Sequence, residues 1–164
     1  MRGAFLSRVR ANSLTEGIGL GVISGAATAG ALLGFGHARG ATLQPLNAVA
    51  HIFAGSRAFM TTGFQPAITG GALVVHFLST IAWGVLLAYI AAPLTARGRA
   101  IAPFGVGILA YLVDRFVAPN ALRPGFEELL SSGETTFIYV VLAAALAAGL
   151  WASTQRAAAA LRSN

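Results

Sequence analysis

The chain has 164 residues, of which 56% are hydrophobic and only 10% charged, and its formal net charge is +6. A soluble domain carries about a quarter charged residues, so this composition excludes an ordinary soluble fold and predicts a chain surrounded mostly by lipid. Cysteine is absent, which excludes disulfides and thiolate metal sites, and the arginines form no single face that would indicate nucleic-acid binding.

Four apolar runs are long enough to cross a bilayer as helices, near residues 17–35, 69–91, 101–117 and 135–152. A crossing helix needs about 20 residues, with a usual range of roughly 17 to 25. The sequence therefore predicts an all-α membrane protein with four transmembrane helices, built as a single integral membrane domain over residues 1–164.

The ends of these helices carry recognisable signals. Ser13–Glu16 and Ser131–Glu134 have the capping-box spacing and precede the first and fourth runs. Pro93 and Pro119 follow the second and third runs as stop signals. The first run is longer than the core of a secretory signal, so we expect it to be retained.

The distribution of arginines predicts the orientation. An even number of crossings places seven arginines on the side of both termini: Arg2, Arg8, Arg10, Arg97, Arg99, Arg156 and Arg162. Fewer arginines fall on the other side, where Glu127 and Glu128 also lie. The positive-inside rule therefore predicts that both termini are cytoplasmic and that two loops are outside.

The first outer loop contains a short amphipathic pattern near residues 45–54, and the stretch 123–132 resembles a shorter counterpart in the second outer loop. Four apolar residues of the first pattern recur at helical spacing, namely Leu46, Val49, Ala50 and Phe53. Asn47 and His51 fall together on another face. We expect one or two short amphipathic helices on the outer face of the bundle.

The first run carries small residues at fourfold spacing, which favours close helix packing in a membrane. Gly17, Gly21 and Gly25 form one row, and Gly30 and Gly34 form a second. These rows predict packing within the bundle, with docking of a different protein as the sharper alternative.

Ionisable residues in the second and third runs are the main candidates for a site. His76 shares a helix face with Ser79, Thr80 and Trp83, about 7–10 Å below the outer end of its helix. One interpretation is a neutral imidazole hydrogen-bonded to a neighbouring helix, and the other is a functional group. Asp114 lies only about 5 Å inside its helix end. We expect it to turn inward and pair with His76.

Arg115, the next residue, can reach the headgroup region from the same depth, so we expect it to face the lipid headgroups.

Five residues together form a candidate polar cluster on the outer side: Asn47, His51, His76, Asp114 and Glu127. We favour a structural network that ties loops to helix ends. A Zn, Mn or Fe site and a proton relay are the alternatives left open, and haem ligation by His51 and His76 is the remotest. No cofactor is therefore expected, and because no catalytic signature is present the chain is not expected to be an enzyme.

The motifs "LNAVAHIFAG", "HFLSTIAWG" and "YLVDRFVAPNALRPGFE", across residues 46–130, resemble a family of small four-helix bacterial inner-membrane proteins. Members are sometimes labelled as symporters, but four short crossings without broken helices do not favour that label. This chain has Ser56 and Arg57 where relatives often carry an acidic residue, which weakens a metal site near His51. The resemblance implies the bacterial inner membrane as the location.

Two functional hypotheses follow from these observations. The first is a non-catalytic accessory or scaffold subunit, whose partners are the lipid bilayer and other membrane protein subunits or further copies of itself. The second is a small transporter, or a protein that binds a metal ion or protons through the outer polar cluster.

Overall fold

The computed structural model describes the backbone of residues 2–163 and their side chains except those of residues 2–12, 157, 158 and 161. The described part contains helices and turns but no strand. In chain order its elements are α1 (Arg2–Ala38), α2 (Gln44–Asn47), a 3₁₀ turn (Ala48–Ala50), α3 (His51–Ala54), α4 (Ser56–Met60), α5 (Pro66–Ala91), α6 (Ala96–Leu112), a π-helical turn (Val113–Val117), two 3₁₀ turns (Asn120–Leu122 and Phe126–Glu128) and α7 (Ser132–Arg162).

Four of these helices are long and apolar enough to cross a membrane, as the sequence predicted. The qualifying segments are Ser13–Ala38, Pro66–Ala91, Ala96–Val117 and Ser132–Arg156, of 26, 26, 22 and 25 residues. Each exceeds the roughly 20 residues that a bilayer requires. The predicted all-α class is therefore confirmed for the described residues, which include four helices long and apolar enough to cross a membrane.

The predicted start of the first helix is wrong. Ser13–Glu16 does not cap α1 but lies inside it, because the helix already begins at Arg2. Ser13 is buried, and Glu16 accepts a hydrogen bond from Ser153 in α7 and pairs with Arg99 at 3.6 Å. Glu16, predicted to take part in a cap, therefore joins α1 to α6 and α7 instead. The side chains of Arg2, Arg8 and Arg10 lie outside the described residues.

The third long helix also begins earlier than the apolar run indicated. α6 starts at Ala96, where the side chain of Thr95 accepts a hydrogen bond from the Gly98 backbone. Arg97 and Arg99, expected in a loop, thus lie in the first turns of α6. Hydropathy alone misplaced this boundary because a polar first turn with a good N-cap is as helical as an apolar one.

The capping box predicted for the fourth helix is present. Ser131 Oγ accepts from the Glu134 backbone, and Glu134 Oε2 accepts from the Ser131 backbone at 2.9 Å. The same carboxylate pairs with Arg39, just beyond the end of α1. Residues 39–65 and 118–131 therefore gather at one end of the bundle, which we call the loop end.

α1 and α5 pack so closely that their backbones touch. A Cβ added to Gly17 would collide with the Cα of Val85, and one added to Gly21 would collide with the Cα of Ile81. Small residues allow this approach, which maximises van der Waals contact where water cannot drive association. The second predicted row, Gly30 and Gly34, does not pack closely against another helix of the bundle. No described atom lies within 4 Å of a Cβ added at either glycine.

The other long helices pack against one another to different extents. α7 packs against both α1 and α6, whereas α5 and α6 contact each other only sparsely. Gly107 of α6 faces α7, where an added Cβ would lie 2.7 Å from the Cβ of Ala143. The bundle is therefore tight along α1 and open between α5 and α6.

The predicted amphipathic helix near residues 45–54 is present only in part. The stretch is divided into α2, a 3₁₀ turn and α3, and Gly55 ends α3 with a φ of +57°. Residues 45–50 are buried in the loop end, so the segment dips into the bundle mouth. Phe53, predicted on the apolar face of this helix, is 55% exposed.

Asn47 was expected on a polar face beside His51 but is fully buried. Its amide nitrogen donates to the backbone carbonyls of Thr61 and Gly63, at 2.9 and 3.0 Å. Because these bonds hold the segment that follows α4, Asn47 serves the fold of the first loop and is separate from the other predicted site residues.

The second loop closes over the first through a single glycine. Gly125 has a φ of +84°, a conformation that residues with a Cβ rarely adopt. An added Cβ there would lie 2.5 Å from the Ala48 carbonyl oxygen and 2.6 Å from His51 Nδ1. Only glycine lets the two loops meet at this distance, and the contact brings Phe126 down onto the bundle as a buried plug.

Candidate functional site

A cavity of about 410 Å³ lies beneath the second loop, where α5 and α6 diverge. Most of its wall is apolar, and Phe126, Ile138 and Leu142 form its buried part. The polar and aromatic residues that line it are Thr28, His76, Ser79, Thr80, Trp83, Asp114, Arg123 and Tyr139. A concave, mostly apolar space with a few converging polar groups is the usual form of a small-molecule site.

The face of α5 predicted to carry polar residues is the face that borders this cavity. His76 is 6% exposed, and its Nε2 lies 3.0 Å from the Gly25 carbonyl oxygen and 3.1 Å from Thr28 Oγ1. Because a carbonyl can only accept, Nε2 carries the hydrogen in that contact. The imidazole is thus hydrogen-bonded to the neighbouring helix, in line with the simpler of the two interpretations.

Asp114 enters the site from the π-helical turn at the end of α6. Its Oδ2 accepts a hydrogen bond of 2.8 Å from the Tyr139 hydroxyl of α7. Tyr111, one helical turn earlier, packs edge-on against the same Tyr139 ring with centroids 5.3 Å apart. Asp114 turns inward as predicted, while Arg115 beside it is exposed.

The expected pair of Asp114 and His76 is wrong. Each residue bonds to a different helix, and among the described residues no ion pair joins them. Their depths differ too, because α5 begins at Pro66 and places His76 about 15 Å from the loop end, against about 5 Å for Asp114. The two side chains line one cavity without touching.

His51 and Glu127 belong to a separate groove on the surface of the loop end, together with Asn120 and Glu128. His51 Nδ1 lies 3.2 Å from the Ala48 carbonyl oxygen, and Nε2 lies 3.2 Å from that of Asn120. The imidazole therefore bridges the first and second loops. The predicted five-residue cluster is divided among the cavity, this groove and the Asn47 contact.

Glu127 is half-buried in the groove, and its Oε2 is enclosed without a hydrogen-bond partner among the described residues. Burial raises the pKa of this carboxyl above its usual range, the nearby Glu128 raises it further, and His51 partly opposes the shift.

The metal site that the sequence left open as an alternative finds no support among the described residues. Across the described residues, no three His, Asp or Glu side chains lie close enough together to hold a metal ion. The candidates are spread over two sites, and His76 already uses Nε2 in hydrogen bonds to α1. A metal ion typically needs three or four converging ligands, so these residues do not form a coordination shell.

Three residues of the site escaped the sequence analysis. Tyr139 was detectable, because a tyrosine inside an apolar helix needs a partner for its hydroxyl. Thr28 lies one turn beyond Gly25, on the helix face that packs against α5, so its contact with α5 could also have been expected. Arg123 had no such signal, since its place at both the cavity and the groove depends on how the second loop folds back.

Comparison with known proteins identifies no relative of this chain. No protein-family model matches the chain, and no curated protein or solved structure is significantly similar to it. The resemblance to small four-helix inner-membrane proteins therefore stays a prediction, and function has to be argued from the geometry.

Proposed function

We propose that the chain is an integral membrane protein of the bacterial inner membrane, with both termini in the cytoplasm. The exposed surface of the four long helices supports insertion, because large apolar side chains such as Val74, Leu78, Ile108 and Val140 are more than half exposed. In water such a surface would aggregate, whereas in lipid it is the expected exterior.

Cysteine accessibility in whole cells tests this topology. The chain has no cysteine of its own, so each engineered one is the only target. We expect Ser56→Cys at the loop end to react with an impermeant reagent added outside, and Ala96→Cys at the other end to react only after lysis. Labelling of Ala96→Cys from outside intact cells would overturn the orientation.

We further propose that the protein is non-catalytic and binds a small, largely apolar molecule in the cavity. The cavity itself carries this proposal: about 410 Å³ is within the range of roughly 300–1,000 Å³ typical of ligand sites. Transfer of an apolar molecule from water to the apolar wall, which includes Phe126, supplies favourable free energy for binding. Polar groups along one side of the cavity can fix the orientation of the ligand. Binding of this kind suits a carrier, a sensor or a small transporter.

Fluorescence of Trp83 tests the proposal directly. Trp151 is 67% exposed on α7, so Trp151→Phe leaves the cavity tryptophan as the only one. In lipid nanodiscs, neopentylbenzene, a neutral apolar probe, is expected to change the Trp83 emission in a saturable way. Ala82→Phe, which fills the cavity wall, is expected to abolish the saturable change.

Leu78→Phe is the matched control, because Leu78 lies on the same helix, is 62% exposed and is not part of the cavity wall. This variant is expected to retain saturable binding. A response that grows linearly with probe concentration in all three proteins would reflect partition into lipid only and would overturn the proposed binding function.

An accessory role is the second candidate, and the glycines Gly30 and Gly34 favour it. They lie one turn apart on an exposed part of α1, and nothing fills the space beside them. That surface can admit the backbone of another transmembrane helix, from a different subunit or from a second copy.

Purification in mild detergent followed by native mass spectrometry tests this role. A specific partner or homo-oligomer is expected to be lost in Gly30→Leu and kept in Gly19→Leu, where α1 is also open. A monomer without partners would remove the accessory role and leave the binding proposal standing.

A further inference from the structure

The described lining of the cavity contains a carboxylate, Asp114, and an arginine, Arg123, which do not form an ion pair with each other. Asp114 is the acidic residue of its described lining, and among the described residues it has no ion pair. Tyr139 bonds Oδ2, and among the described residues the other oxygen has no hydrogen bond and is not fully buried. A carboxylate in an apolar space is stabilised by a proton or by a cation beside it, so Asp114 is suited to interact with a cationic group in the cavity.

Arg123 is the arginine of the described lining, but it is not within ion-pair distance of Asp114. Its Nε donates to the Ala118 carbonyl at 3.3 Å, and the side chain also borders the groove that contains Glu127 and Glu128. Glu127 and Glu128 line the same groove as Arg123, so Arg123 borders both the groove and the cavity. Among the described residues no cation forms an ion pair with Asp114.

The aromatic residues beside Asp114 complete the pattern. The ring of Tyr139 is flanked by Tyr111 at 5.3 Å and by Phe126 at 6.4 Å, between ring centroids. Trp83 lines the same cavity from α5. Aromatic faces next to a carboxylate attract organic ammonium groups, because the ring quadrupole and the negative charge act on the same cation.

We propose that the cavity binds an amphiphilic organic cation, whose charged group lies against Asp114 and whose apolar part lies against the wall formed by α5 and α7. This proposal rests on the binding function above and names the class of its ligand. A bare metal ion would find one carboxylate and an apolar wall, and an anion would be repelled by Asp114, so neither fits as well.

The test compares matched probes in the same Trp83 assay, using the full-length Trp151→Phe protein in nanodiscs of neutral lipid. Benzyltrimethylammonium carries a quaternary nitrogen, neopentylbenzene has carbon in its place, and benzenesulfonate is an anion. We expect the cation to bind roughly tenfold more tightly than the neutral probe, and the anion not to bind.

Asp114→Asn is expected to bring the affinities for the cation and the neutral probe to within about twofold. Tyr139→Phe, which keeps the carboxylate, is expected to keep the preference for the cation. The comparison of three probes on the Trp151→Phe protein needs no change at Asp114, so the test stands even where Asp114→Asn does not fold.

Equal affinities for the cation and the neutral probe would overturn the cation proposal and leave the binding function intact. Tighter binding of the anion would overturn it as well. Saturable binding of none of the three probes would overturn both proposals together.

Discussion

The two sides of α5 show how differently one helix can meet its neighbours. Towards α1, the backbones touch at Gly17, Gly21 and Gly84, and a single Cβ would force them apart. Towards α6, contacts are few and a cavity of about 410 Å³ separates the helices. Small residues allow the close contact with α1. The space between α5 and α6 is lined instead by the bulky Trp83 and the charged Asp114.

This contrast separates stability from binding capacity. The α1–α5 interface is packed like a protein interior, so we expect it to supply much of the stability of the bundle. The α5–α6 side leaves polar groups in an open space, which is the condition for taking up a ligand. Changes on the two sides should therefore have different consequences.

The largest expected effect comes from breaking the tight side. Gly21→Ala is expected to lower the free energy of unfolding in detergent by about 2–3 kcal/mol, because its Cβ collides with the backbone of Ile81. Gly19→Ala, two residues away in open space, is expected to be neutral or to stabilise by roughly 0.5–1 kcal/mol. Thermal unfolding measures both, and equal losses would mean that α1 and α5 are not in close contact.

The next effect tests the hydrogen bonds that join α5 to α1. His76→Leu removes the contacts to Gly25 and Thr28 and is expected to cost about 1–2 kcal/mol of unfolding free energy. Ser79→Ala is the control, because Ser79 borders the cavity without a hydrogen-bond partner among the described residues. Its loss is expected to stay within about 0.5 kcal/mol. If Ser79→Ala costs as much as His76→Leu, the imidazole does not tie the helices.

The hydrogen bond that joins Asp114, at the end of α6, to Tyr139 of α7 is expected to have a smaller effect. In a double-mutant cycle, Asp114→Asn and Tyr139→Phe are expected to couple by about 1 kcal/mol, the size of one hydrogen bond between helices. Asp114→Asn and His76→Leu are expected to be additive within about 0.5 kcal/mol, since they share no partner. If Asp114→Asn were additive with Tyr139→Phe but coupled to His76→Leu, Asp114 and His76 would be in direct contact after all.

The smallest effect concerns pH at the loop end. Because burial raises the pKa of Glu127 above its unfolded value, the stability contributed by this group is fully present below the unfolded pKa. It is lost as the pH rises through the folded pKa. Glu127→Gln is therefore expected to flatten the fall in thermal stability as the pH rises above the unfolded pKa of glutamate, about 4.3. Glu128 is exposed, so Glu128→Gln is expected to leave the pH dependence unchanged. If Glu128→Gln flattens it instead, the titrating carboxyl is that of Glu128 and not that of Glu127.

Local sequence determined the four helices and several details of their ends. Length and composition marked each span, and the reciprocal contacts of Ser131 and Glu134 are set by three-residue spacing alone. The inward direction of Asp114 also followed from the sequence, because it shares a helix face with Gly107 and Tyr111, both of which face α7. Such features depend on neighbours within one or two helical turns, which the sequence shows directly.

The tertiary structure alone decided which faces meet. Asp114 bonds to Tyr139 instead of His76 because α6 packs on α7, while the glycines of α1 hold α5 away on the other side. The predicted polar cluster separated for the same reason, since a shared side of the bundle does not imply a shared pocket. The contacts of Glu16 could not be recognised from the sequence, because its partners Arg99 and Ser153 lie more than 80 residues away. Contacts between helices depend on which surfaces fit most closely, and that choice is made by the whole bundle at once.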